Sequence, residues 1–139
     1  MKNKLSLSRN IFIVAMIMLS CLAIFNNTAW PSEMVTQKNP DVLRATVSQR
    51  GLDTFDFDVT VSSPYDTPQR YADAFSVTDK DGKIYGERIL VHDHAGEQPF
   101  TRDLYHVSIP AAVKQVVIQA RDMKFGYGGK SFEICLPGR

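Results

Sequence analysis

A strict alternation of apolar and polar residues in the middle of the chain constrains the fold more than any other feature. Four apolar residues, from Phe55 to Val61, alternate with two aspartates and a threonine. Successive side chains of a β-strand point to opposite faces, so this pattern buries one face and leaves the other in water. No long run beyond position 30 shows the spacing of a helix. The sequence therefore predicts an all-β protein.

Shorter alternating segments on both sides of this strand are separated by turn residues. Pro64 and Pro68 mark a loop, because proline cannot donate to a central strand. Gly82 closes a predicted hairpin turn, since glycine accepts the positive φ of such turns. The additional strands are predicted over residues 43–47, 71–78, 83–91, 100–109, 113–120 and 131–136. About seven short strands at this spacing are typical of an immunoglobulin-like antiparallel β-sandwich, which we expect over residues 42–137.

The N-terminal segment has the pattern of a secretory signal peptide. Lys2, Lys4 and Arg9 precede an apolar run over residues 11–25 that only Ser20 interrupts. A membrane-spanning helix needs about 20 apolar residues, so the run is short for a permanent anchor. We therefore predict a signal-peptide helix over residues 1–29 with cleavage after Ala29. A flexible lead-in over residues 30–41 follows, and the mature protein is expected to be periplasmic or secreted, with no membrane attachment.

Two alternatives to cleavage after Ala29 stay open. Residues 18–21 resemble a bacterial lipobox, which would make Cys21 a lipidated N-terminus, and the apolar run would otherwise remain as an uncleaved anchor. If Cys21 leaves with the leader, Cys135 is alone and no intramolecular disulfide can form. A lone cysteine in an oxidising compartment pairs with another chain, ligates a metal or stays as an inert thiol. For Cys135 we expect a thiol tucked into the terminal strand.

The charge of the mature chain argues against nucleic-acid binding. Three of the 16 basic residues lie in the first ten positions, whereas all 15 acidic residues lie beyond residue 30. Removing the leader leaves 13 basic groups against 15 acidic groups, a net charge of −2. Nucleic-acid binding depends on a basic surface that neutralises phosphates. The mature chain has no basic stripe, so we expect no nucleic-acid partner.

A His-x-His pair is the one motif that suggests a metal site. If the strand that begins at Lys83 runs on through His94, then His92 and His94 project from one face, two residues apart. Glu97 could then supply an oxygen ligand from the following turn. Imidazole and carboxylate together suit copper and zinc. The sequence thus predicts a copper or zinc site on His92, His94 and Glu97.

A structural interpretation of the same residues needs no metal. Glu97 could form an ion pair with Arg102, and one imidazole could bond to a backbone carbonyl. Exposed ion pairs of this kind stabilise a protein by only about 0–1 kcal/mol. Asp93, His106 and Cys135 offer further metal ligands, but the sequence does not place any of them beside the His-x-His pair.

Two other functions compete with metal binding. Tyr65 and Tyr127 lie in or beside loops, where a sandwich usually presents its binding surface, and they suggest a metal-free module that binds a protein or glycan. A small periplasmic enzyme is disfavoured, because the chain contains no Gly-x-Ser-x-Gly motif and no cysteine next to a histidine. We therefore expect a binding domain without catalytic residues.

The chain also resembles a family of small exported bacterial domains of immunoglobulin-like fold. The resemblance covers roughly residues 54–137, and its most specific part is the block from His92 to Arg102, which includes Glu97-Gln98-Pro99-Phe100-Thr101-Arg102. The other matching motifs, in order, are Tyr71-Ala72-Asp73, Asp81-Gly82 and Gly126-Tyr127-Gly128-Gly129. The resemblance implies an exported β-sandwich and brings no activity with it.

Overall fold

The structure, a computed structural model, describes residues 37–139. The predicted signal peptide over residues 1–29, the alternatives at Cys21 and most of the predicted lead-in therefore lie outside the described residues. Within residues 37–139, no helix is long and apolar enough to cross a membrane.

The described chain folds into eight strands and contains no helix, which confirms the all-β prediction. All strand pairs are antiparallel. The strands are β1 (Asp41–Gln49), β2 (Thr54–Ser62), β3 (Ala72–Thr78), β4 (Ile84–Ile89), β5 (Phe100–Ser108), β6 (Gln115–Asp122), β7 (Gly126–Tyr127) and β8 (Phe132–Cys135).

The strands form two antiparallel sheets that pack as a β-sandwich. The first sheet has the order β1-β2-β5, and the second has the order β4-β3-β6. On the side of β6 away from β3, two strands pair with it: β8 along its first half and the short β7 along its last two residues. The chain crosses between the sheets after β2, after β4 and after β5. The first two crossings are made by the loops over residues 63–71 and 90–99. These two loops carry the residues of the candidate functional site.

The core lies between the two sheets, as the alternating pattern predicts. Phe55 and Phe57 of β2 belong to this core together with Phe75 of β3, and all three side chains are almost completely buried. Burying a side chain of this size stabilises a fold by about 1.5–3 kcal/mol. Valines and isoleucines of β2, β3 and β6 fill the remaining space.

Asp56 departs from the alternating pattern, which placed this residue in water. Its side chain is largely buried, with 9% of the residue exposed. One carboxylate oxygen accepts the backbone N–H of His106 at 2.8 Å, and the other pairs with Arg50 at 2.6 Å. The bond to His106 fixes a bulge in β5, where His106 has a φ of 58°. Hydrogen bonds and an ion pair thus offset the burial of this carboxylate.

The glycine-rich connection before β8 crosses close to the start of β1, which leads to a first prediction. Gly126 and Gly129 have nearly equal positive φ angles of 77° and 74°. A Cβ on Gly129 would collide with the carbonyl oxygen of Pro40, whereas a Cβ on Gly126 would meet nothing within 4 Å. Gly126→Ala should lower the free energy of unfolding by about 1–2 kcal/mol, the cost of an L-residue in this conformation. Gly129→Ala should lower the free energy of unfolding by more than Gly126→Ala does.

Urea unfolding of both glycine variants measures this difference. Because the two glycines have nearly the same φ, the excess cost at Gly129 reports the close approach to Pro40. Equal destabilisation by the two substitutions would contradict the packing of this connection against β1.

Candidate functional site

The two histidines lie in the loop between β4 and β5 rather than on a strand. The strand β4 ends at Ile89, before its predicted end at residue 91, so the condition that this strand runs on through His94 is not met. Their side chains are therefore not brought together by strand alternation. The loop over residues 90–99 instead carries them across the end of the sandwich, from the second sheet to the first.

A buried carboxylate from another loop fixes the position of His94. Asp66 is only 5% exposed and lies in the loop between β2 and β3. One oxygen of its carboxylate accepts the backbone N–H of His94 at 3.1 Å, and the other accepts that of Ala72, also at 3.1 Å. Asp66 therefore ties the histidine loop to the start of β3.

The amide of Gln98 makes a second tie between the same two loops. Its oxygen accepts the backbone N–H of Ser63 at 2.7 Å. Its nitrogen donates to the hydroxyl of Ser63 and to the carbonyl of His94, both at 3.2 Å. Asp66 and Gln98 thus hold the backbone of His94 on both sides, at its N–H and at its carbonyl.

The imidazole of His94 is buried and has an unpaired nitrogen. Its ring stacks on Phe100, with the centroids 4.0 Å apart and the planes 15° from parallel, and the residue is only 3% exposed. Nδ1 has no hydrogen-bond partner within the described residues. Burial lowers the pKa of His94, and the positive charge of Arg102 lowers it further. At neutral pH this ring is uncharged, which is the form that binds metals.

The second imidazole lies beside the first but in contact with water. The ring centroid of His92 is 4.8 Å from that of His94, with the planes inclined by 33°. His92 is exposed, and its Nδ1 lies 2.8 Å from the carbonyl oxygen of Asp93. The structure thus brings the two predicted histidines together, with the ring of His92 tilted against that of His94.

The third predicted ligand, Glu97, is engaged by an arginine. Its carboxylate accepts a hydrogen bond from Nη2 of Arg102 at 2.8 Å. This contact, more than any other, holds the pKa of Glu97 below its usual value. Among residues 37–139, no three or more His, Cys, Asp or Glu side chains are arranged to hold a metal ion. In this conformation the Glu97 carboxylate therefore does not complete a site with the two imidazoles.

The other candidate ligands lie elsewhere in the sandwich. His106 is exposed at the bulge of β5. Cys135 is a free and exposed thiol in β8, so the prediction that this cysteine is tucked into the strand is wrong. Neither residue joins His92 and His94 in a group suited to a metal.

Tyr65 and Tyr127, which suggested a metal-free binding module, contact other side chains of the domain. The guanidinium of Arg70 lies 4.1 Å from the ring centroid of Tyr65, which is half-buried. The hydroxyl of Tyr127 donates to the carboxylate of Glu87 on the outer face of the second sheet. The Tyr65 ring and the Tyr127 hydroxyl thus have partners in the fold, which weakens the argument that they form a recognition surface. The Tyr65 hydroxyl is buried and, like Nδ1 of His94, has no hydrogen-bond partner within the described residues.

Sequence reasoning found the histidines but missed the residues that support them. Asp66, Gln98 and Phe100 position His94, yet the first of these is 28 positions away from it in the chain. Asp66 lies between two prolines, in a segment that the sequence showed only to be a loop. No periodic pattern connects such a loop with another one, so this support could not be predicted.

No known family, curated protein or solved structure matched the chain when it was compared with them.

Proposed function

We propose that this chain is an exported binding domain that holds copper or zinc through His92 and His94, with Glu97 as a third ligand. The observation that carries the proposal is the buried imidazole of His94, which has an unpaired ring nitrogen and lies beside a second imidazole. A buried polar atom without a partner is rare in a folded protein and needs an explanation. Coordination of a metal ion by the two imidazoles is an explanation that fits the unpaired nitrogen of His94.

The surroundings of His94 resemble the support that metal ligands usually have. Ligating histidines are normally oriented by a hydrogen bond from the second ring nitrogen, and loss of that partner weakens metal binding by about 10–100-fold. At His94, ring packing and backbone hydrogen bonds fix the residue instead. Here the stack on Phe100 fixes the plane of the ring, and Asp66 fixes the backbone. The exposed ring of His92 can turn toward a metal if Nδ1 gives up its contact with the Asp93 carbonyl, and the exposed Glu97 carboxylate can do so if it leaves Arg102.

Calorimetric titration with Zn²⁺ and Cu²⁺ tests the proposal. The sample for titration is the chain from Trp30 onward with the substitution Cys135→Ser. The cysteine is replaced because an exposed thiol would bind both metals by itself. We expect one-to-one binding with a dissociation constant of about 1 μM or lower. The double variant His92→Ala/His94→Ala should weaken binding by about 100-fold or more, since it removes both nitrogen ligands.

The remaining histidine of the mature chain supplies a matched control. His106→Asn removes one imidazole and keeps a residue that tolerates the positive φ at this position. This variant should bind both metals as the parent protein does. The proposal fails if the folded parent produces no binding heat, or if loss of His106 weakens binding as much as loss of the pair.

A further inference from the structure

The ion pair between Glu97 and Arg102 supports an inference that rests on the proposed function. We propose that Arg102 limits the metal affinity of the site by holding the Glu97 carboxylate away from the two imidazoles. Arg102 is not a ligand in this account, and its role is to compete with the metal for a ligand.

The contacts of the two side chains identify Arg102 as the fixed partner. Arg102 lies on β5, and Nη1 donates to the carbonyl of the adjacent Thr101 at 2.8 Å. Its guanidinium also lies 5.4 Å from the ring centroid of Phe100, the residue on which His94 stacks. Glu97 lies in the loop before β5, and its side chain is 55% exposed, against 26% for Arg102. The carboxylate is therefore the group that can move.

The charge of Arg102 acts in the same direction as this contact. A guanidinium stays protonated at any physiological pH, so its positive charge near the imidazoles is permanent. A metal ion that binds there meets this charge and must also draw the carboxylate out of an existing ion pair. Exposed ion pairs are weak, so the metal can break the contact, but at a loss of affinity. Removal of the guanidinium should remove both effects.

A double-mutant cycle measures the competition directly. Zinc affinity is compared for the parent protein, Arg102→Gln, Glu97→Gln and the double variant, all in the Cys135→Ser background. Arg102→Gln should bind zinc roughly three- to tenfold more tightly than the parent, because Glu97 becomes free to ligate. In the Glu97→Gln background the same substitution should increase affinity by less than it does in the parent, since only the repulsion between the guanidinium and the metal ion is then removed.

Two further variants control for charge and for folding. Arg50→Gln removes an arginine from another ion pair, the contact of Arg50 with Asp56 at 2.6 Å, and should leave zinc affinity unchanged. Arg102→Met keeps the aliphatic part of the side chain and removes the guanidinium. If Arg102→Gln does not unfold cooperatively, Arg102→Met takes its place, and we expect the same gain in zinc affinity.

The outcomes separate this inference from the proposed function. If the parent binds zinc and Arg102→Gln binds it no more tightly, the competition is refuted and the metal site remains. An equal gain in the presence and absence of the Glu97 carboxylate would also refute it. If no variant with both histidines binds zinc, the proposed function itself fails and the inference fails with it.

Discussion

Replacing Asp66 by alanine is expected to lower the free energy of unfolding by about 3 kcal/mol, because it leaves two buried N–H groups without an acceptor. The N–H groups belong to His94 and Ala72, and each bonds to one oxygen of the Asp66 carboxylate at 3.1 Å. Urea unfolding followed by circular dichroism measures the loss. The same variant should bind zinc about tenfold more weakly or worse, since His94 loses its anchor.

Two control variants test the cause of this loss. Asp66→Asn keeps one acceptor oxygen but turns an amide N–H toward a backbone donor, so its stability should fall between those of the parent and Asp66→Ala. Asp93→Ala removes a less buried carboxylate from the histidine loop, where Asp93 accepts the N–H of Ala95 at a longer 3.3 Å. It should cost less than about 1 kcal/mol. Equal losses for Asp66→Ala and Asp93→Ala would contradict the anchoring role of Asp66.

The second large effect is expected at His94, where stability and metal binding should change in opposite directions. His94→Phe keeps an aromatic ring on Phe100 and removes the buried Nδ1 that has no partner. An unsatisfied buried polar atom costs about 1–3 kcal/mol, so the variant should be more stable than the metal-free parent, by about 1 kcal/mol. Its affinity for zinc should fall by about 100-fold, because one of the two imidazoles is gone.

This prediction separates a binding role of His94 from a purely structural one. If the ring of His94 stabilised the loop through its polar atoms, His94→Phe would lower the free energy of unfolding. Urea unfolding without metal therefore tests the first half of the prediction, and zinc titration of the same sample tests the second. The hydrogen bonds of His94 with Asp66 and Gln98 involve only backbone atoms of His94, so His94→Phe leaves them in place.

The fold could largely be predicted from side-chain alternation, because burial of one face imposes a period of two on each strand. Phe55, Phe57 and Phe75 lie in the core for this reason. Details that break the period could not be predicted. A register shift between Val42 and Arg44 buries Val42 and leaves Leu43 exposed, opposite to the simple pattern.

The candidate site could be predicted only in part, because its residues come from two loops without a repeating pattern. The His-x-His motif and the pairing of Glu97 with Arg102 are both local in the sequence, and the structure brings both pairs together. The contact of His94 with Asp66 joins separate loops and depends on how the two sheets pack. Which carboxylate holds the backbone of His94 is thus decided by the tertiary fold.

The most direct test of the metal site observes the imidazole nitrogens themselves. Protein labelled with ¹⁵N in its histidines, again from Trp30 and with Cys135→Ser, is examined by long-range ¹H–¹⁵N spectra during addition of one equivalent of Zn²⁺. We predict that one ring nitrogen of His92 and one of His94 shift to the range of zinc-bound nitrogen, while the signals of His106 stay in place. Unchanged signals for all three histidines, or equal gradual shifts of all three, would contradict a metal site on this pair.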